Sequence, residues 1–233
     1  MPGRSLPPEG EAAPRGTSLV ECTVAGERIV LLPERVMFWP ARAMLFVADF
    51  HLGKAASFRR AGIPLPSGTT AENVERLGRA IDKTRASHVV FLGDFLHSKQ
   101  GRTEDTFARF AAWRQARASV ELTLVRGNHD LKAGDPPEAW SMRCMEAGVR
   151  AGPFVLNHEP GASRGGYALA GHIHPAVRLT AAGEKALRLP CFWFGARHGV
   201  LPAFGAFTGH ADVLPRRGDQ VYVVAEEEVL KVA

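Results

Sequence analysis

Short runs of apolar residues alternate with amphipathic stretches along the first two thirds of the chain. The apolar runs are rich in β-branched and aromatic residues, which predicts buried β-strands. The amphipathic stretches repeat apolar residues at spacings of three and four, as at Val74, Leu77 and Ile81, which predicts helices with one buried face. Strands are predicted at 19–24, 27–32, 43–48, 88–92, 120–125, 153–157 and 167–170, and helices at about 71–86, 104–117 and 137–146.

The alternation of strands and helices is typical of an α/β fold with a buried sheet. The first predicted helix opens with Thr69 and has Glu72 three residues later, which predicts a capping box. From about residue 176 the chain becomes strand-and-turn material rich in proline and glycine, which indicates a second, antiparallel sheet packed on the first. Residues 1–17 have the composition of a disordered tail, and 18–233 are predicted to form a single domain.

The composition is that of a globular protein. Apolar residues make up 45% of the 233 positions, which is too many for a mainly disordered chain. No run approaches the roughly 18 uncharged apolar residues of a membrane helix, and the N-terminus lacks the apolar centre of a secretion signal. The cysteines Cys22, Cys144 and Cys191 are far apart and form no CxxC pair, which favours a reducing compartment such as the cytoplasm.

Side chains that bind metals follow five of the predicted strands. In α/β proteins ligands bind at the carboxyl ends of strands, so we expect these side chains to converge on one edge of the sheet. Two pairs are spaced two residues apart, which on a continuing strand points both side chains the same way. The candidates in chain order are Asp49, His51, Asp94, Asn128, His158, His172 and His174.

Two carboxylates, one amide and four imidazoles form a mixed nitrogen and oxygen set that suits borderline divalent ions: Mn, Fe, Zn, Co or Ni. Seven ligands are too many for one such ion and predict two, with a carboxylate such as Asp94 able to bridge them. Two ions about 3.5–4 Å apart assist an in-line displacement at phosphorus and lower the pKa of a shared water. The set therefore predicts hydrolysis of phosphoesters.

The order of the motifs, D-x-H, GD, GNHD, H and GHxH, resembles the calcineurin-like binuclear metallophosphoesterase superfamily. The second motif often reads GD-x-x-(N/D) in that family, whereas His97 holds the last position here. The segments 51–66, 93–98, 189–193 and 201–208 resemble the bacterial ligase-associated DNA damage response endonucleases.

The resemblance implies a four-layer α/β/β/α sandwich of two packed mixed β-sheets flanked by helices. It also implies hydrolysis by in-line attack of a hydroxide held between two divalent ions, with manganese as the first candidate. One ion is expected on Asp49, His51 and His174 and the other on Asn128, His158 and His172, with Asp94 as the bridge.

His129 follows a ligand and is not expected to bind metal. In the family pattern this histidine contacts a phosphate oxygen or the leaving group, either as a general acid or as a cation that stabilises the transition state. Asp130 either accepts a hydrogen bond from His129 and orients it, or is a solvated turn residue. His97 is expected to contact substrate or to support a ligand from behind, with an exposed loop as the alternative.

Basic residues flank the motifs, and the formal net charge is +5. If these cations ring the metal edge, they form a track for phosphates, on which Phe58 and Phe95 are candidates for base stacking. The alternative is ordinary surface cations and core phenylalanines. The predicted substrate-binding residues are Lys54, Arg59, Arg60, Arg126 and Arg164 together with His97, and Lys99, Arg102 and Lys132 are further loop cations.

These features predict a divalent-metal-dependent phosphodiesterase, a DNA endonuclease acting in DNA repair. No long insertion closes the site, which favours an open groove for single-stranded or flexible DNA. The resemblance also implies a functional link to a helicase and a DNA ligase. The alternatives are a small-molecule or nucleotide phosphatase or phosphodiesterase and, more remotely, a non-catalytic scaffold on the same fold.

Overall fold

The computed structural model describes residues 19–65, 68–179 and 186–233, so the predicted tail, 1–17, lies outside the described residues. No helix in these ranges is long and apolar enough to cross a membrane. The helices in these ranges are α1 (Lys54–Arg60), α2 (Thr69–Thr84), α3 (Glu104–Ala116) and α4 (Asn128–Ala133).

Within the described ranges, the first sheet has seven strands, β1 (Val20–Val24), β2 (Glu27–Leu32), β3 (Val36–Trp39), β4 (Met44–Val47), β5 (His88–Leu92), β6 (Glu121–Val125) and β7 (Met142–Met145). Neighbours in the sheet are also neighbours in sequence. The strands from β1 to β4 pair antiparallel, and those from β4 to β7 pair parallel. The carboxyl ends of the parallel strands therefore lie together at one edge.

The second sheet has nine strands in the described ranges, β8 (Val149–Ala151), β9 (Phe154–Leu156), β10 (Tyr167–Ala170), β11 (Pro175–Leu179), β12 (Leu187–Phe194), β13 (His198–Val200), β14 (Ala211–Asp212), β15 (Gln220–Ala225) and β16 (Glu228–Lys231). Its main path runs β14-β11-β12-β13-β10-β9-β8, and β15 pairs with β12 and β16. Strands β9, β10 and β13 are parallel to one another. The expectation of an antiparallel sheet starting near residue 176 is wrong, since the sheet is mixed and starts at β8.

Successive side chains of β4 point to opposite faces of the sheet and so contribute to two different apolar cores. Leu45 packs on one face of the sheet with Leu77 of α2 and Phe110 of α3. Phe46 packs on the other face against Phe154 of the second sheet, with ring centroids 6.1 Å apart. Strands buried on both faces read as continuous apolar runs, which is why β4 and β5 are recognisable in the sequence. Two packed mixed sheets flanked by helices are thus confirmed.

The outer face of the second sheet carries a smaller apolar cluster. In β12, Phe192 and Phe194 face the first sheet, whereas Cys191 and Trp193 face outward with Val213. Within the described ranges no helix contributes to this outer cluster.

The predicted helix at 137–146 is wrong. The chain forms one short 3-10 turn at Glu138–Trp140 and then enters β7. Met142 and Cys144 pack on the helix side of the first sheet while Arg143 between them is exposed, which is the period of a strand. Pairing with β6 satisfies backbone groups that a helix would leave open at this sheet edge, so tertiary context overrides the local pattern.

The apolar pattern also does not predict α1 or α4, which are short and directly follow ligand motifs. The predicted capping box is wrong as well. Helix α2 begins at Thr69 itself, and the residue before it is Gly68 with a φ of 100°. A glycine in the left-handed region turns the chain into the helix where an Asp, Asn, Ser or Thr would normally stand.

Phe50, which lies between two predicted ligands in sequence, is the centre of an aromatic cluster. Its ring stacks on Phe95 at 5.4 Å and on Phe204 at 5.2 Å between centroids. It meets Phe91 and Phe110 edge-on at 5.7 and 6.3 Å. All five rings are buried, so the expectation that Phe95 stacks on a DNA base is wrong.

We expect Phe50→Ala to lower the free energy of unfolding by about 3–5 kcal/mol, because it removes a buried ring and leaves a cavity. Urea unfolding in the presence of a chelator measures this loss without a contribution from metal binding. The matched control is Phe207→Ala, which removes a ring that is 51% exposed and should cost about 0.5 kcal/mol or less. Equal losses in the two variants would contradict the structural role of the cluster.

Candidate metal centre

The predicted ligands lie where the carboxyl ends of strands from the two sheets meet. Asp49, Asp94 and Asn128 follow β4, β5 and β6 of the first sheet. His158 follows β9 and His172 follows β10 of the second sheet. The sequence pattern predicts one edge of one sheet, whereas the structure draws the ligands from two. Packing of the sheets therefore assembles the centre.

The chain turns at most of these residues. The backbone angle φ is 52° at Asp49, 51° at His51, 50° at Asp94, 70° at His172 and 52° at His174. The expectation that each closely spaced pair lies on a continuing strand is therefore wrong. A left-handed residue other than glycine costs about 1–2 kcal/mol, and such residues gather at functional sites where the surrounding structure holds them.

The first ligand group contains Asp49, His51 and His174, the three residues assigned to one ion by the resemblance. Their ligand atoms all lie within 4.8 Å of one another. The Nε2 atoms of His51 and His174 are 3.4 Å apart, and His174 Nε2 is 3.6 Å from Asp49 Oδ1. The structure brings all three together.

The second ligand group contains Asp94, His158 and His172, with Asn128 beside them. His158 Nε2 lies 3.0 Å from Asn128 Oδ1, 3.0 Å from His172 Nδ1 and 3.3 Å from Asp94 Oδ1. The two groups adjoin, because His158 Nδ1 is 4.0 Å from Asp49 Oδ1. That Asp94 bridges two ions stays a prediction.

Hydrogen bonds behind two of the rings decide which nitrogen faces the centre. His158 Nδ1 is 3.1 Å from the carbonyl oxygen of Leu92, and His174 Nδ1 is 2.9 Å from that of Gly209. A carbonyl oxygen only accepts, so each Nδ1 carries the proton and each Nε2 keeps a lone pair directed at the carboxylates. Lone pairs and carboxylate oxygens at 3.3–3.6 Å repel one another unless a cation lies between them. This donor set fits divalent ions.

Burial disfavours the charged form of two imidazoles at the centre, those of His51 and His97. It lowers the pKa of His51 well below its ordinary value, and it lowers the pKa of His97 to about 4. A neutral ring has a free lone pair, which is the form that binds a metal.

His129 and His97 form a stacked pair beside the ligands. Their ring centroids are 4.9 Å apart and their planes differ by 20°. His129 Nδ1 donates to the carbonyl oxygen of His97 at 2.6 Å, which leaves His129 Nε2 directed inward, 3.9 Å from Asp94 Oδ2. His97 Nδ1 is 3.4 Å from His51 Nδ1. The structure thus places His97 against a ligand and not on an exposed loop.

Asp130 has different partners from those expected. It is 1% exposed, and its carboxylate accepts the backbone N–H groups of Phe95, Leu96 and Gly127 at 3.3, 2.8 and 2.9 Å. Neither a bond to His129 nor a solvated turn is correct. Asp130 instead fastens the loop after β5 to the loop after β6, while burial raises its pKa to about 6. It is a positioning residue.

The predicted cations have different surroundings. Lys54 lies close enough to the centre for the charges of Asp49 and Asp94 to oppose the lowering of its pKa by burial. Arg126 pairs with Asp135 at 2.7 Å and with Glu146 at 2.8 Å, so its charge is already compensated. Of the remaining loop cations, Arg102 donates to three backbone carbonyls at 3.0–3.1 Å, whereas Arg59, Arg60 and Arg164 are exposed.

A cavity of about 510 Å³ adjoins the stacked histidines. Phe58 forms part of its wall, with its ring 6.0 Å from the ring of His97 and 5.8 Å from Lys54 Nζ. Ile63, Arg60 and His97 also line it. The cavity therefore combines apolar and cationic surface next to the predicted reaction centre.

Three glycines that precede ligands have a role not recognised from the sequence. A Cβ at Gly93 would lie 2.1 Å from His158 Nδ1, and one at Gly171 would lie 2.5 Å from Asp49 Oδ2. A Cβ at Gly127 would lie 2.3 Å from an oxygen of Asp94. Only glycine lets the backbone of one motif pass against the ligand of another. In the sequence, the sign of this role is that each of the three glycines stands directly before a ligand.

The sequence profile of the calcineurin-like phosphoesterase family matches residues 43–180. A comparison with curated protein sequences gives no match. The crystal structure of Pseudomonas putida nuclease MPE superposes with a TM-score of 0.82 at 34% identity, covering 92% of this chain and 100% of that chain. The E. coli phosphoesterase Yfce aligns at 13% identity and a TM-score of 0.36 over 78% of this chain and 87% of its own, and nothing about this chain follows from that likeness.

The matched segment spans more than half of the chain and contains all seven predicted ligands. The 34% identity with the nuclease extends over the whole length of that protein. On both grounds, this chain belongs to the calcineurin-like phosphoesterase family.

Proposed function

We propose that this chain is a divalent-metal-dependent phosphodiesterase that cuts DNA as an endonuclease. The observation that carries the proposal is the pair of adjoining ligand groups with His129 beside them. Support for a nucleic-acid substrate comes from the full-length similarity to a protein described as a nuclease. The loops around the centre add cationic surface, which suits a polyanion.

The chemistry that two divalent ions supply in such a site is neutralisation of charge at phosphoryl oxygens and acidification of a water molecule. Manganese is our first candidate, and Fe, Zn, Co or Ni suit the same mixed donor set. We infer that one ion would be held by Asp49, His51 and His174, the other by Asn128, His158 and His172, and that Asp94 would be shared.

We infer that His129 acts on the reacting phosphate. The carbonyl of His97 holds its Nδ1 proton, so its Nε2 is the atom that faces the centre. A proton on Nε2 would be donated to the leaving oxygen or retained as positive charge near the phosphoryl oxygens. Stacking of the His129 ring on the His97 ring limits rotation of His129, which keeps its Nε2 directed inward in both roles.

The surface next to His97 supports contact with a nucleotide next to the scissile phosphate. Lys54 lies near the carboxylates of the centre, and Phe58 presents a ring beside the cavity of about 510 Å³. Base stacking on an aromatic ring is tolerant of sequence. Arg60 lines the same cavity, and Arg59 and Arg164 are exposed cations that could follow a flexible strand.

We infer a role in DNA repair, with a functional link to a helicase and a DNA ligase, from the segments that resemble ligase-associated DNA damage response endonucleases. We also infer a reducing compartment, the cytoplasm, for this chain. Cys22, Cys144 and Cys191 are free thiols, as expected where disulfides do not persist.

The proposal predicts that metal-free protein incubated with single-stranded circular DNA will linearise it when Mn²⁺ is restored. Parallel reactions with Fe, Zn, Co and Ni ions rank the metals. Incision should weaken steeply with added salt, by a slope of about 0.7 per phosphate contact. No incision with any ion, together with turnover of a chromogenic phosphomonoester, would favour the small-molecule phosphatase instead.

Removal of ligands should abolish hydrolysis. We expect His158→Ala and His172→Ala each to reduce turnover of bis(p-nitrophenyl) phosphate by more than about 100-fold, because loss of a supporting contact alone costs a metal site about 10- to 100-fold. Elemental analysis should show lost metal in the same samples. The control is His88→Ala. His88 lies at the start of β5, and its ring is hydrogen-bonded to Thr123 Oγ1 at 2.9 Å. Full metal content in inactive His158→Ala protein would contradict the ligand assignment.

For His129→Ala we expect turnover to fall by about 10²- to 10⁴-fold, the usual contribution of a positioned acid or base. Metal content should stay close to wild type, because His129 Nε2 supports the reaction and not the ions. Elemental analysis and steady-state kinetics on one protein preparation separate the two effects. Loss of both ions in this variant would show that His129 is a ligand.

A further inference from the structure

A second cavity, of about 620 Å³, shares no lining residue with the cavity beside Phe58 and His97. We call it the arginine groove. Its lining includes Ile173, Trp193, Arg197, Arg216, Arg217 and Asp219.

The arginine groove lies beside segments that carry three of the ligands. Ile173, which lines it, stands between the ligands His172 and His174. The Ala211 amide at the start of β14 donates to the carbonyls of Ile173 and His174, both at 3.2 Å. Gly161, just beyond the ligand His158, lines the groove as well. The groove wall is therefore tied to the segment that bears His172 and His174.

Two ordered turns present the three arginines. The turn that bears Arg197 is held by Tyr167, whose hydroxyl lies 2.9 Å from the carbonyl oxygen of Gly195 and 2.8 Å from that of His198. The turn after β14 is held by Asp219, whose Oδ2 accepts from the Arg216 amide at 2.9 Å and from Trp193 Nε1 at 2.8 Å. The backbone that bears these arginines is thus held in place, while their side chains stay exposed.

The charges of the groove do not cancel. Arg197, Arg216 and Arg217 form no ion pair with any residue in the described ranges. Of the two acids in the lining, Asp212 is neutralised by Arg188 at 2.7 Å. Asp219 remains, so three cations face one uncompensated carboxylate. Positive charge beside an aromatic ring is the combination with which proteins hold single-stranded nucleic acid.

We propose that the arginine groove binds the phosphodiester backbone of the DNA strand as it leaves the metal centre. Arg197, Arg216 and Arg217 contact successive phosphates, and the fixed indole of Trp193 offers a surface for a base. The inference rests on the proposed function, since it assigns a track to the same substrate. It adds a binding site that none of the sequence motifs marks.

The test is a triple variant, Arg197→Ala with Arg216→Ala and Arg217→Ala, compared with wild type on a single-stranded oligonucleotide of about 25 residues. We expect KM for DNA to rise about 10- to 100-fold near 0.1 M salt, because single-strand binding changes by a slope of about 0.7 per phosphate contact and three contacts are lost. The slope of log KM against log salt should fall by about 2 for the same reason. Turnover of bis(p-nitrophenyl) phosphate reports separately on the metal centre.

The matched control removes the same charge elsewhere, by Arg79→Ala, Arg85→Ala and Arg143→Ala together. These three arginines are exposed and line neither the groove nor the metal centre. We expect their loss to leave the DNA KM within about twofold of wild type and to change the salt slope by much less than the groove variant does. A second variant with lysine at all three groove positions should recover most of the affinity, since an ammonium also contacts phosphate.

Four results would count against the inference. The groove variant could behave like the charge-matched control, or it could lose DNA cleavage and small-diester turnover in parallel, which would place the defect in the metal centre. The lysine variant could fail to recover affinity although its small-diester turnover is normal, which would exclude a charge effect. Wild type that hydrolyses the small diester but cuts no DNA with any ion would instead overturn the proposed function itself, and the groove with it.

Discussion

The hydrogen bond from the backbone amide of His172 to the carboxylate of Asp49 joins the ends of the two sheets. Its two N···O distances are 2.9 and 3.1 Å. The acceptor follows β4 and the donor follows β10, and both residues are predicted ligands of the candidate centre. The bond therefore fixes the position of one sheet relative to the other. A similar bond at 2.9 Å, from the amide of His129 to Asp94, couples two strand ends within the first sheet.

The centre is locally unfavourable and is held by what surrounds it. Five left-handed residues and a set of facing acceptors would not persist in an isolated loop. Behind them Phe50 anchors the first motif in an aromatic cluster whose rings lie 5.2–6.3 Å apart. Asp130 ties two neighbouring ligand loops through backbone N–H groups. Cations between the facing carboxylates and ring nitrogens would offset their mutual repulsion, so stability and metal affinity are linked.

The success of sequence-based prediction varies with how local the deciding interactions are. Strands β5 and β10 lie where the sequence predicts them, at 88–92 and 167–170. A continuous apolar run becomes buried whatever elements pack against it, so its position can be recognised from the sequence alone. The helix predicted at 137–146 fails because the open edge of β6 recruits that segment as a strand. Phe95 fails for a related reason, since exposure and burial of an aromatic ring depend on packing that a linear pattern does not contain.

The sequence by itself determined the identity and order of the ligand motifs, since acid, amide and imidazole side chains carry their metal preference in any context. It also determined that glycine stands before three of them. Only the tertiary structure decided that the motifs come from two sheets, that Asp130 fastens backbone loops, and that Arg126 is compensated by acids while the groove arginines are not. Those outcomes depend on contacts between residues far apart in the chain, and such contacts exist only once the two sheets have packed.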